Sequence, residues 1–166
     1  MPSPLADQFP ELVASIVTVE GNFTLRDAFW SKSVAAMAEQ EARASIEARL
    51  VDPVAFLASD GIAASEPWLS RAAEALSFQP WRTIWQSAKA VVETTARSEY
   101  GEMLRRVFDR HRVHLLAGER SRGDWDVPNW ASAAAVSDTV MGNVGHMMGL
   151  EDPVAFGTLI ARLPTR

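Results

Sequence analysis

Three histidines and no cysteine bound the chemistry open to this chain. Without cysteine there is no thiolate nucleophile, no disulfide and no sulfur-ligated metal. His111 and His114 lie three residues apart, and His146 lies on a later segment. Two imidazoles on adjacent helical turns can share one metal ion. The pattern is incomplete for that purpose. There is no Glu-x-x-His, the pair that bundle di-iron sites repeat on two helices, and no His-Glu-x-x-His. The histidines therefore read as solvated or packing groups, and no metal or cofactor is assigned. Nucleophilic catalysis also lacks its signature, since no Gly-x-Ser-x-Gly turn occurs. Gly142, Gly145 and Gly149 match neither nucleotide-binding fingerprint and read as points of close helix packing. No catalytic residue is assigned, and the chain is expected not to be an enzyme on its own.

Recognition chemistry is better represented. Of the 16 basic residues only Lys32 and Lys89 are lysine; the others are arginine. Arg105, Arg106, Arg110, Arg112, Arg120 and Arg122 form a basic segment interleaved with Glu102, Asp109, Glu119 and Asp124. Ion pairs at helical spacing account for much of it. A net charge of -5 argues against nucleic acid, whose phosphates need many cations. Six tryptophans are expected to anchor the core, with Trp125 and Trp130, flanking Pro128, reserved for a partner. The candidate partner interface is thus Arg105, Arg106, Arg110, Arg112, Trp125 and Trp130. No apolar stretch approaches bilayer-spanning length and no signal peptide is visible, so a cytoplasmic protein off the membrane is expected.

Helical periodicity dominates the elements that would carry these residues. It predicts an all-α fold, a single elongated domain over 1–166 with six or seven helices and a short flexible N-terminus over 1–9. A first helix is expected from Pro10, with Leu12, Val13, Ile16 and Val17 on one face. A second should run from Thr24 to about Arg49. One long helix from Trp81 to about Leu116, interrupted only at Gly101, would be roughly 55 Å long at about 1.5 Å per residue. Another should run from Pro128 to Met148, closed by Gly149. A phrase said twice fixes two corners: Leu50-Val51-Asp52-Pro53-Val54-Ala55-Phe56 returns as Leu150-Glu151-Asp152-Pro153-Val154-Ala155-Phe156. In each copy Asp is an N-cap and Pro sits at N1, where its missing N–H is harmless. Val51 and Phe56 could form a hydrophobic staple. The flanks differ, so convergent helix-start chemistry is preferred to duplication.

Thr24-Leu25-Arg26-Asp27-Ala28-Phe29-Trp30 resembles the early Arg-Asp-Ala-aromatic segment of the gamma subunit of soluble methane monooxygenase hydroxylases. Later features follow in similar order: His111-Arg112-Val113-His114-Leu115, the loop Asp126-Val127-Pro128-Asn129-Trp130, and the Asp152-Pro153 helix start. The resemblance implies a non-catalytic helical accessory subunit of a multicomponent di-iron oxygenase, bound to larger hydroxylase subunits that hold the iron. The alternative is a stand-alone interaction, adaptor or inhibitor protein, phage or defence related.

Overall fold

Three parallel strands overturn the all-α expectation. The computed structural model describes residues 3–163. Strands β1 (Ser15–Val19), β2 (Arg112–Gly118) and β3 (Ser137–Met141) form one sheet in the order β1-β2-β3. Ser15 lies opposite Arg112, and His114 opposite Ser137. Ten α-helices lie among the described residues.

The chain divides into two compact units. The first comprises residues 1–27 and 95–166 and holds the sheet. Of the segment expected to be flexible, residues 1 and 2 lie outside the described residues, and Ser3–Gln8 forms helix α1 with Ala6 buried. A 3₁₀ turn at Pro10–Leu12 replaces the expected first helix, and Ile16-Val17-Thr18-Val19 enters β1. That β-branched run suits a pleated strand better than a helix.

The second unit, residues 28–94, is helical. It contains α2 (Phe29–Ala35), α3 (Glu39–Leu50), α4 (Pro53–Ala58), α5 (Trp68–Ser77) and nearly all of α6 (Trp81–Thr95). The helix expected from Thr24 is instead a 3₁₀ turn at Leu25–Asp27 followed by α2 and α3. Val34, Ala42, Ile46 and Ala88 form a core with Trp81, Ile84 and Trp85 against it. At α4 the Asp52 carboxylate accepts the Ala55 amide at 2.9 Å, as the phrase predicts. The staple does not form: Phe56 is buried, but Val51 is 80% exposed.

The expected long rod is broken twice. α6 ends at Thr95, α7 spans Glu99–Arg110, and His111 turns into extended backbone that leads to β2. Gly101 lies inside α7 and interrupts nothing. Val113 to Gly118 is buried throughout. A parallel strand covered on both faces reads as a continuous apolar run without alternation, which is why it passes for helix. The expected helix from Pro128 to Met148 is likewise α8 (Asn129–Ala134), then β3, then α9 (Met148–Glu151). Gly149 lies within α9, not beyond a helix end. The second Asp-Pro copy starts α10 (Pro153–Arg162), where Asp152 accepts the Ala155 amide at 2.9 Å.

Strand alternation sorts the first unit into layers. On one face Ile16, Val113, Leu115 and Ala117 pack with Leu104, Val107 and Phe108 of α7, Ala6 of α1 and Ala131 of α8. On the other, Leu116 and Met141 pack with Val17, Val19, Val144 and Met148, and with Phe156, Leu159 and Ile160 of α10. Each large buried side chain contributes about 1.5–3 kcal/mol. Leu116→Ala is expected to lower stability by about 2–5 kcal/mol in urea unfolding. Val51→Ala should change it by less than about 0.5 kcal/mol. A loss at Val51 comparable to that at Leu116 would mean that the staple forms after all.

Candidate functional site

The carboxyl ends of parallel strands converge on one edge, where sheets of this kind bind ligands. In the first unit that edge is built by Glu20 and Gly21 after β1, Glu119 to Ser121 after β2, and Gly142 to His146 after β3.

Glu20 sits at φ 43, a left-handed conformation that non-glycine residues avoid. Its amide donates to Leu116 O at 3.0 Å, so the turn extends the β1–β2 ladder by one bond. The side chain folds inward and is 5% exposed. Oε1 accepts the Gly118 amide at 2.8 Å and the Ser121 hydroxyl at 2.5 Å. Oε2 lies 2.6 Å from His146 Nδ1. Burial pushes the Glu20 carboxyl up. The hydrogen bonds from His146, Ser121 and Gly118, together with the His146 charge, outweigh it and hold the group below its ordinary value of 4.5. Glu20 is therefore ionised near neutrality and can only accept, so the proton on the shared bond belongs to Nδ1. When His146 is neutral its lone pair is therefore on Nε2, on a ring that is 58% exposed.

Glycines let the two loops meet. A Cβ on Gly118 would lie 2.3 Å from Gly145 O and 2.8 Å from Val144 O, so only glycine allows the histidine loop to sit on the end of β2. Beyond Glu20 the chain is pinned to the loop after β2. Trp125 Nε1 donates to Gly21 O at 2.7 Å, Thr24 Oγ1 to Asp126 Oδ2 at 2.6 Å, and the Asp126 amide to Asp27 Oδ1 at 2.8 Å.

The expected interface residues go to different places. Trp125 is buried between Gly21 and Phe23 as an internal brace. Trp130 packs edge-on against Phe108 and lies under the Arg105 guanidinium, 4.4 Å from the ring centroid. Arg106 grips Asp7 at 3.0 and 2.6 Å, and Arg110 lies 3.6 Å from the same carboxylate, tying α7 to α1. Arg112 is exposed at the start of β2. His111 and His114 do pack: His111 reaches Val13 O and Ala6 O, and the buried His114 bonds Ser137 Oγ at 2.8 Å. His146 is of another kind, and with Glu20 it is what reading the sequence missed. The available signals were a charged residue after a β-branched run and a glycine before the histidine, Val19-Glu20-Gly21 and Val144-Gly145-His146. No group of three or more His, Asp or Glu side chains that could hold a metal ion occurs among the described residues. No described helix is long and apolar enough to cross a membrane.

An ion held below its ordinary pKa stabilises the fold above that ordinary value and stops doing so as pH falls through the lower, folded-state value. Glu20→Gln should therefore cost about 1–3 kcal/mol at pH 7 and flatten the acid limb of stability against pH below 4.5. Urea midpoints from pH 3 to 7 would measure both, and parallel pH profiles for the two proteins would contradict the assignment. No protein-family model, no curated protein and no solved structure matches this chain.

Proposed function

We propose that Glu20 and His146 are the acid and base of a hydrolytic site that attacks acyl compounds, esters or amides, by the triad logic. The observation that carries the reading is the 2.6 Å Nδ1–H···Oε2 hydrogen bond at the carboxyl edge of a parallel sheet. In such sites a buried carboxylate fixes the imidazole tautomer and stabilises the imidazolium, while the other ring nitrogen takes a proton from a hydroxyl nucleophile and later returns it to the leaving group. A buried acid beside a half-exposed imidazole suits that division of labour. The order along the chain, acid before histidine, each on a turn after a parallel strand, is also that of α/β-hydrolases, where the nucleophile precedes both.

The nucleophile in this proposal is a hydroxyl on a further segment brought to His146; the sequence contains no Gly-x-Ser-x-Gly turn that would supply it in the α/β-hydrolase manner. Ser121 does not fill the role: its hydroxyl donates to the acid. Among the described residues β1 pairs with a strand on one side only. A cavity of about 220 Å³ lined by Ile16, Val17, Phe23, Leu104 and Val107 borders it. A strand–turn–helix segment pairing along β1 would bring its turn to the same edge as His146. A role as accessory subunit of a di-iron hydroxylase, or as an adaptor, is a separate proposal that predicts copurification with an iron-containing or other protein partner. The Glu20–His146 pair gives the hydrolytic reading preference.

A fluorophosphonate probe applied to the tagged protein in its native host is expected to label a serine on whatever polypeptide includes or accompanies this chain. His146→Ala should slow labelling by roughly 10³-fold or more, and Glu20→Gln by at least about 10²-fold. Labelling indifferent to His146 would sink the proposal.

A further inference from the structure

The three residues that precede His146 are each held from outside their own loop. Asn143 O accepts Arg120 Nη1–H at 2.8 Å, and the Asn143 amide donates to Glu119 Oε2 at 2.8 Å. Val144 O accepts the Arg120 amide at 3.0 Å. The Gly145 amide donates to Glu151 Oε1 at 2.7 Å, while Glu151 Oε2 accepts Arg120 Nη2–H at 2.7 Å. Glu151, at the end of α9, has a side chain only 10% exposed. A Cβ on Gly145 would stand 3.1 Å from Arg120 Nη2 and 3.6 Å from Glu151 Oε1, so arginine and glutamate close over a bare backbone.

We infer that Arg120 and Glu151 form a positioning clamp that sets the imidazole of His146 against Glu20; the inference rests on the reading of that pair as acid and base. The acid is held by Gly118 and Ser121, and the histidine loop by Glu119 and Arg120. One four-residue turn therefore carries the reference frame for both partners. The imidazole meets Glu20 through Nδ1, and an error of about 1 Å in placing such a group costs on the order of 10²-fold in rate. Fixing the backbone on the N-terminal side of His146 sets the Cα from which the imidazole reaches Glu20. Arginine suits the task because its planar fork serves two acceptors at once, Asn143 O and Glu151, where a lysine ammonium has no such fixed geometry.

The test reads the pair itself, in the whole chain, by NMR. Wild type should show a downfield Nδ1–H resonance from His146, and Glu20→Gln should abolish it. In Arg120→Met and Glu151→Ala its exchange with water should accelerate about tenfold, the worth of a hydrogen bond of roughly 1.4 kcal/mol, while the β2 amides stay protected. Arg120→Lys should recover only part of the slow exchange. Arg82→Met, which breaks the exposed Arg82–Glu39 pair of the second unit, should leave it unchanged. If Glu151→Ala loses the β2 protection, Glu151→Gln, which keeps an acceptor for Gly145, is read in its place. Wild-type exchange in both Arg120→Met and the Glu151 variant overturns the clamp. A missing resonance in wild type is a different failure, that of the Glu20–His146 pair.

Discussion

β2 is the element on which the first unit depends. It is the central strand of three, paired on both sides and covered on both faces. Val113, Leu115 and Ala117 anchor one layer and Leu116 the other, so helices of both layers pack against this one strand. Its last residue, Gly118, ends the hydrophobic run and begins the polar site, and its amide is the first donor to Glu20. Core and chemistry are thus joined through one backbone, with no flexible segment between them.

Burying a carboxylate is unfavourable unless its oxygens are satisfied by donors. Glu20 meets that condition with one backbone amide, one hydroxyl and one imidazole. The donors come from two loops, so the charge draws the ends of β2 and β3 toward β1. The same carboxylate is therefore a structural rivet and the group that fixes the histidine tautomer. Its left-handed backbone belongs to this arrangement, since strained conformations persist where the surroundings over-determine them.

What could be read in the sequence was local. Asp52-Pro53 and Asp152-Pro153 are helix starts because capping needs only residues a few positions apart. The loop after Gly118 was legible for the same reason, being polar and rich in turn residues. The sheet was not legible, because its strongest strand hides its periodicity. Arg112-Val113-His114-Leu115-Leu116-Ala117 follows a real helix and carries no period of two, since both faces are buried. β1 had the β-branched residues but only five positions. The site lay further out of reach. Glu20 and His146 are 126 residues apart, and only the sheet brings them together. Trp125 meets the same limit: a tryptophan beside a loop can face outward or brace the loop from within, and the group it bonds, Gly21 O, is 104 residues away.

The second unit is a continuous segment, residues 28–94, interrupting a first unit made of two pieces. During synthesis the helical segment can close its core of Val34, Ala42, Ile46 and Ala88 while β2 has yet to be made. β1 emerges early and must wait for a partner whose key contact, Gly118 to Glu20, is 98 residues away. Closing a loop scales only as the logarithm of its length, and a segment that has already folded shortens the effective loop further. The connectivity therefore favours local helices ahead of long-range parallel pairing, and the Glu20–His146 pair can form only once the last strand is in place. Until then a β-branched strand with open edges waits unpaired, the state of this chain most exposed to mispairing with another copy.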